Sequence, residues 1–216
     1  VTYYNMTGPD VNVSTASTVN ITIDNTRPRI IPNAPVNNTN SSSAVVTFNF
    51  TVTDTVDTVL DCNLTLDPAN STFGAVINTS TTVQNGTATT FIHTIQEGRH
   101  TWNVRCLDTV SLSNQTNNLT FSVATTLPTL TLNYPPNASI LNSTGFAFNF
   151  TPVSNVFTLL TDCNLTLDPT NTTGGGIINS SSNVANGSVT SYQTTPADGD
   201  RTWNVQCRDP AKNFGF

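Results

Sequence analysis

The chain repeats its cysteine-bearing strands at a fixed interval, which leaves few folds open to it. Asp61-Cys62-Asn63-Leu64-Thr65-Leu66-Asp67-Pro68 returns as Asp162-Cys163-Asn164-Leu165-Thr166-Leu167-Asp168-Pro169, with every residue 101 positions on. Thr101-Trp102-Asn103-Val104-Arg105-Cys106-Leu107-Asp108 returns at the same interval as Thr202-Trp203-Asn204-Val205-Gln206-Cys207-Arg208-Asp209. This is a tandem duplication of a unit of about 100 residues, the common size of a β-sandwich. In an extended strand alternate residues share a face, so Cys62, Leu64 and Leu66 point one way, as do Trp102, Val104 and Cys106. Asn63, Thr65, Asn103 and Arg105 then point out. Four cysteines allow three pairings, and identical spacing in the two copies selects Cys62–Cys106 and Cys163–Cys207, with free buried thiols as the alternative.

Between these markers the same plan recurs. Val46, Phe48, Phe50 and Val52 alternate as a half-buried strand, matched by Phe146, Phe148 and Phe150. Asn85-Gly86 and Asn186-Gly187 are turn signals, and Pro28, Pro32 and Pro35 imply an extended linker and edge strand. No helical periodicity of useful length occurs, so the fold class is all-β. The opening residues carry a surplus strand. Val19-Asn20-Ile21-Thr22-Ile23 matches Leu119-Thr120-Phe121-Ser122-Val123 at an offset of 100, whereas no such strand follows Cys207.

Charged residues are only 9% of the chain, against a usual share of about 25%. The net charge of −6 is dilute and no basic patch exists, so no nucleic-acid partner and no anionic membrane surface is expected. No apolar run approaches the ~18 residues of a membrane span, so no membrane insertion is expected either. Nineteen Asn-x-Ser/Thr acceptors occur, at Asn5, Asn12, Asn20, Asn37, Asn40, Asn49, Asn63, Asn70, Asn78, Asn85, Asn114, Asn118, Asn137, Asn142, Asn149, Asn164, Asn171, Asn179 and Asn186. Chance pairing at this composition gives about eight. Their phase agrees, because Asn49, Asn63, Asn149 and Asn164 alternate with inward apolar residues, where a sugar fits. The bland alternative is that Asn and Thr merely suit turns and exposed strand faces. The start at Val1, without methionine or apolar leader, reads as a secreted product with its signal peptide removed, a fragment being the alternative.

The Trp-x-Val-x-Cys-x-Asp run at Trp102, its counterpart at Trp203, the Asp209-Pro210-Ala211-Lys212-Asn213 turn and the Ile23-Asp24-Asn25-Thr26-Arg27-Pro28 junction resemble tandem immunoglobulin-like domains of prokaryotic and archaeal surface proteins. Unlike antibody domains, Cys106 shares a strand with Trp102 and bonds within one sheet. The resemblance implies residues 1–26 as an N-terminal donor strand segment, 27–127 as one immunoglobulin-like sandwich and 128–216 as a second that lacks its own last strand. Glycosylated archaeal surface filaments built by strand donation are the whole-protein likeness. It implies a structural, non-enzymatic subunit of an extracellular cell-surface filament, a head-to-tail homopolymer of identical subunits in which Val19, Ile21 and Ile23 enter the neighbour. A stalk segment of a larger surface-layer protein, or an adhesin, would share these signals. An adhesin should show an unshared aromatic cluster or long variable loop, and neither copy does.

Chemistry is thin. His93 and His100 lack a partner at ligand spacing, and a solvated strand or turn role is expected. Asp54, Asp57 and Asp61 could line a calcium site, yet no loop has the oxygen density of a dedicated one, so no metal is expected. Gly174-Gly175-Gly176 opens no helix and reads as a turn. No base stands beside any serine. Neither a catalytic residue nor a cofactor beyond covalent N-glycans is expected.

Overall fold

The computed structural model describes residues 20–68, 75–142, 145–168 and 176–216. Every regular element among them is a β-strand. The first unit is built from β1 (Arg29–Ala34), β2 (Thr39–Ser41), β3 (Val45–Thr53), β4 (Val59–Leu66), β5 (Ala75–Gln84), β6 (Ala88–Thr94), β7 (Gly98–Leu107), β8 (Ser113–Gln115) and β9 (Leu119–Val123). One sheet runs β1-β3-β6 and the other β2-β9-β7-β4-β5, with β8 against β7. All pairings are antiparallel except β2 on β9.

Strands form here because apolar residues alternate with Thr, Ser and Asn, giving one face to the core and one to water. Phe48, Phe50 and Val52 of β3 are buried against Leu60, Cys62 and Leu64 of β4, Trp102, Val104 and Cys106 of β7, and Phe121 and Val123 of β9. The Phe48 ring stands edge-on to Trp102 at 5.4 Å and to Phe121 at 5.7 Å, pairs that add about 0.5–1.5 kcal/mol each beyond burial. Pro32 sits in β1, an edge strand, opposite Phe50 and just before a register shift, the kind of position where sheets accept proline.

The second unit comprises β10 (Thr129–Tyr134), β11 (Phe146–Val153), β12 (Leu159–Leu167), β13 (Gly176–Ala185), β14 (Thr190–Thr194), β15 (Trp203–Arg208) and β16 (Phe214–Gly215). Its sheets run β10-β11-β14 and β13-β12-β15-β16. This strand order, a three-stranded sheet facing the β4–β7 type of sheet, makes each unit an immunoglobulin-like sandwich, and the chain is two of them in tandem. Both cystines, Cys62–Cys106 and Cys163–Cys207, bridge directly opposed residues within one sheet, as the repeat spacing predicts.

Several expectations change. Asn103 points away from the core yet is only 2% exposed, because Asn118 lies over it and accepts its Nδ2 at 2.8 Å. Gly176 is the first residue of β13 rather than part of a turn, and Gly174 and Gly175 lie outside the described residues. Asn5, Asn12, Val19, Asn70 and Asn171 also lie outside them. Residues 20–28 form no strand, and the place beside β7 that their counterparts take is filled in the first unit by β9.

Candidate functional site

The two copies differ most at one edge. In the first unit β9 pairs with β7 from Trp102↔Leu119 through Thr101↔Thr120 to Gly98↔Val123, and its other side receives β2 in parallel, Thr39↔Phe121 to Ser41↔Val123. Phe121 thereby reaches Phe48 and Trp102 is fully buried. In the second unit β16 is the counterpart of β8, and nothing described takes the place of β9. Three consequences follow along that edge. The pairing at the start of β7 has no equivalent, so β15 begins only at Trp203. Residues 139–141, counterparts of β2, form no strand, and Ile140 is 99% exposed. Trp203 is partly exposed although its ring keeps the edge contact with Phe148 at 5.1 Å. Among the described residues, the result is an edge with no strand in the place of β9, beside a partly exposed Trp203 and an exposed Ile140.

Meanwhile Ile21 and Ile23, spaced like Phe121 and Val123, are 77% and 74% exposed. An apolar-x-apolar segment in water and an edge lacking one are thus present in the same chain.

Polar contacts hold the ends of this edge. Asp67 accepts Thr101 N at 2.8 Å and faces His100 Nδ1 at 2.9 Å. His100 is therefore not a solvated side chain but a partner of Asp67, brought near because β4 and β7 are neighbours. In the second copy Arg201 replaces it, bonding Asp168 at 2.9 Å while Thr202 N donates to the same carboxylate at 3.0 Å. The Thr202 N–H first, and Arg201 second, hold the Asp168 carboxyl below its ordinary value. His93 Nε2 lies 3.4 Å from Asn78 Nδ2 on the neighbouring sheet edge.

The fifteen acceptor asparagines among the described residues are all exposed or half-buried. Asn20, Asn37, Asn40, Asn114, Asn118, Asn137 and Asn142 are exposed, whereas Asn49, Asn63, Asn78, Asn149, Asn164 and Asn179 sit half-covered on strand faces. Asn49 donates an amide hydrogen to Thr90 Oγ1 and Asn114 one to Pro28 O. Asn85 and Asn186 are different. Asn85 Nδ2 donates to both Asp54 O at 2.7 Å and Asp57 O at 2.6 Å while Oδ1 accepts Asp54 N. Asn186 repeats this on Ser154 O, Phe157 O and Ser154 N. With both amide hydrogens donated, each of these two side chains staples a turn. Asp54 and Asp57 occupy that turn, whereas Asp61 is exposed on β4, so the three do not form one site.

No protein-family model matches the chain, and neither does any curated protein. Solved structures do. The fibronectin(III)-like modules of Clostridium thermocellum CbhA are 12% identical with a TM-score of 0.39, covering 87% of this chain and 90% of that one. The chicken CNTN1 FN1–FN3 domains are 9% identical, TM-score 0.39, over 88% of this chain and 64% of that one. A structure from a 1.5-MDa bacterial ice-binding adhesin is 13% identical, TM-score 0.39, over 89% and 63%. This chain thus spans less than two thirds of the last two.

Proposed function

We propose that this chain is a structural, non-enzymatic segment of an extended extracellular array of immunoglobulin-like modules, of the kind that forms the shaft of a surface protein or adhesin. Each sandwich is completed by an apolar-x-apolar strand that runs on into the next. The observation carrying this reading is the contrast between the filled slot at Phe121 and Val123 and the open one beside Trp203 and Ile140. An uncovered edge of this type pairs with any strand of the right pattern. Two cystines support an oxidising compartment. N-glycans on the outward asparagines, Asn85 and Asn186 excepted, supply the solubility that charge does not.

One observation favours joining between molecules: exposed Ile21 and Ile23 carry the spacing of the missing strand. Donated to the second sandwich of the next copy, they give a head-to-tail contact that propagates as an open filament. The test moves residues 1–26 behind Phe216 on a flexible linker. Donation predicts a soluble monomer whose second sandwich unfolds at higher temperature, and a deleted chain that neither polymerises nor completes that sandwich. Filaments assembling unchanged from the deleted chain contradict donation. A transplant that leaves the second sandwich no more stable contradicts strand completion altogether.

A further inference from the structure

Where the lead-in segment meets the first sandwich, one carboxylate oxygen each from Asp24, Asp57 and Asp108 lies within 4.8 Å of the other two. Asp57 and Asp108 are 8% and 7% exposed, and Asp24 is half-buried. Part of each carboxylate has local work. Asp108 Oδ1 accepts Val110 N and Leu112 N, Asp24 Oδ1 accepts Thr26 N and Oγ1, and Asp57 accepts Thr109 N and Oγ1. The remaining oxygens of two of them do not. Asp24 Oδ2 and Asp108 Oδ2 are buried and have no hydrogen-bond partner. Among the described residues no Lys, Arg or His forms an ion pair with any of the three. Converging negative charges with buried, unsatisfied oxygens are costly unless something positive stands between them.

The second copy shows what stands there otherwise. Its turn has the same geometry: Asp209 N bonds Asn213 O at 3.0 Å as Asp108 N bonds Leu112 O at 3.1 Å, and Lys212 and Ser111 share φ near +70°. Yet Asn213 Nδ2 donates to Asp209 Oδ2 at 2.9 Å and to Ala124 O at 2.7 Å. One amide nitrogen thus satisfies the counterpart of Asp108 Oδ2 and bridges it to the junction backbone. By repeat position Ala124 replaces Asp24, Phe157 replaces Asp57 and Asn213 replaces Leu112. The amide is present where two carboxylates are absent, and absent where they are present.

We infer that the first unit binds a calcium ion between Asp24, Asp57 and Asp108, in the position that the Asn213 amide nitrogen fills in the second unit. The donors are all hard oxygens, which select calcium, magnesium or manganese over zinc or copper. Three carboxylates brought by three separate segments suit calcium, because magnesium keeps most of its waters and takes one or two carboxylates. By repeat position the Asp24 carbonyl is the counterpart of Ala124 O, the oxygen that accepts Asn213 Nδ2 in the second copy. Asp24 directly follows Ile23, so the ion ties the incoming segment to the sandwich; this consequence alone rests on the array reading above. One junction is then calcium-dependent, while the junction inside the chain is built without an ion.

The test is calorimetric titration of calcium into the chelator-treated full chain, alongside unfolding scans with calcium or EDTA. One calcium per chain and a lower first-sandwich transition in EDTA are expected. Asp57→Asn and Asp108→Asn should weaken binding roughly tenfold or more. Leu112→Asn installs the amide of the second copy, and should remove the calcium response while keeping the first sandwich folded without the ion, even if an Asp variant fails to fold. No binding by the wild-type chain overturns the site, a response to magnesium or manganese alone overturns the calcium assignment, and full binding by Leu112→Asn overturns the location.

Discussion

Asn85 lies in a glycosylation motif, but its geometry makes it a staple, and the two roles separate cleanly by mutation. Its side chain makes three hydrogen bonds, two donated to Asp54 O and Asp57 O and one accepted from Asp54 N. At about 1 kcal/mol net each, Asn85→Ala should cost about 3 kcal/mol, with partial rehydration of the half-buried turn as the discount. A unit of this size loses about 4–8 °C per kcal/mol, so the first sandwich should melt roughly 12–24 °C lower. The second sandwich has its own staple in Asn186 and should not move. Thr87→Ala abolishes the acceptor motif but leaves the amide, and as an exposed change should shift stability by no more than about 0.5 kcal/mol. Differential scanning calorimetry and glycopeptide mapping of chain made in a glycosylating host read both. An Asn85→Ala transition at the wild-type temperature, or a sugar on Asn85 that Thr87→Ala removes, refutes the reasoning.

Replacing Cys163 and Cys207 together with alanine opens a loop of 44 residues, which should destabilise the second sandwich by about 4 kcal/mol in chain-entropy terms; denaturant unfolding should show the first sandwich unchanged, and an equal loss in both would contradict independent units. Asp168 has a folded pKa below its unfolded one, chiefly through the Thr202 N–H and then Arg201. Its contribution is therefore present above the ordinary aspartate pKa and is lost as pH falls through the folded value. Arg201→Ala should raise the Asp168 titration midpoint in a carboxyl-resolved NMR titration, and an unmoved midpoint would show that the pairing carries nothing.

Much of this architecture is legible in the sequence, for physical reasons that also mark where legibility stops. The 101-residue interval and the alternation at Phe48-Asn49-Phe50 and Cys62-Asn63-Leu64 give sandwich, cystine pairing and inward faces, because those residues are buried by the strand they sit on. β5 and β13 escape notice, since they are edge strands rich in Ser, Thr and Asn whose Val76, Ile177 and Ile178 are exposed, so no apolar alternation marks them and Val83 and Val184 are their buried residues. Asn103 is an outward residue covered by a loop, which no strand pattern encodes. Asn85 reads as turn and as acceptor alike, and only the carbonyls facing its amide separate the two. Asp24, Asp57 and Asp108 are distant along the chain. Their signal is nonetheless in the sequence, as departures of one copy from the other at Ala124, Phe157 and Asn213.

The open edge beside Trp203 can be tested by covalent capture. In the first sandwich Thr101 lies opposite Thr120 on neighbouring strands, and their repeat counterparts are Thr202 and Asn20. A chain carrying both Asn20→Cys and Thr202→Cys, mildly oxidised, should give a ladder of disulfide-linked multimers on a non-reducing gel, and peptide mapping should find the two introduced cysteines joined to each other between different molecules; neither single variant should extend beyond a dimer. Monomers with both new thiols free, in a chain whose native cystines are intact, would contradict strand completion between copies.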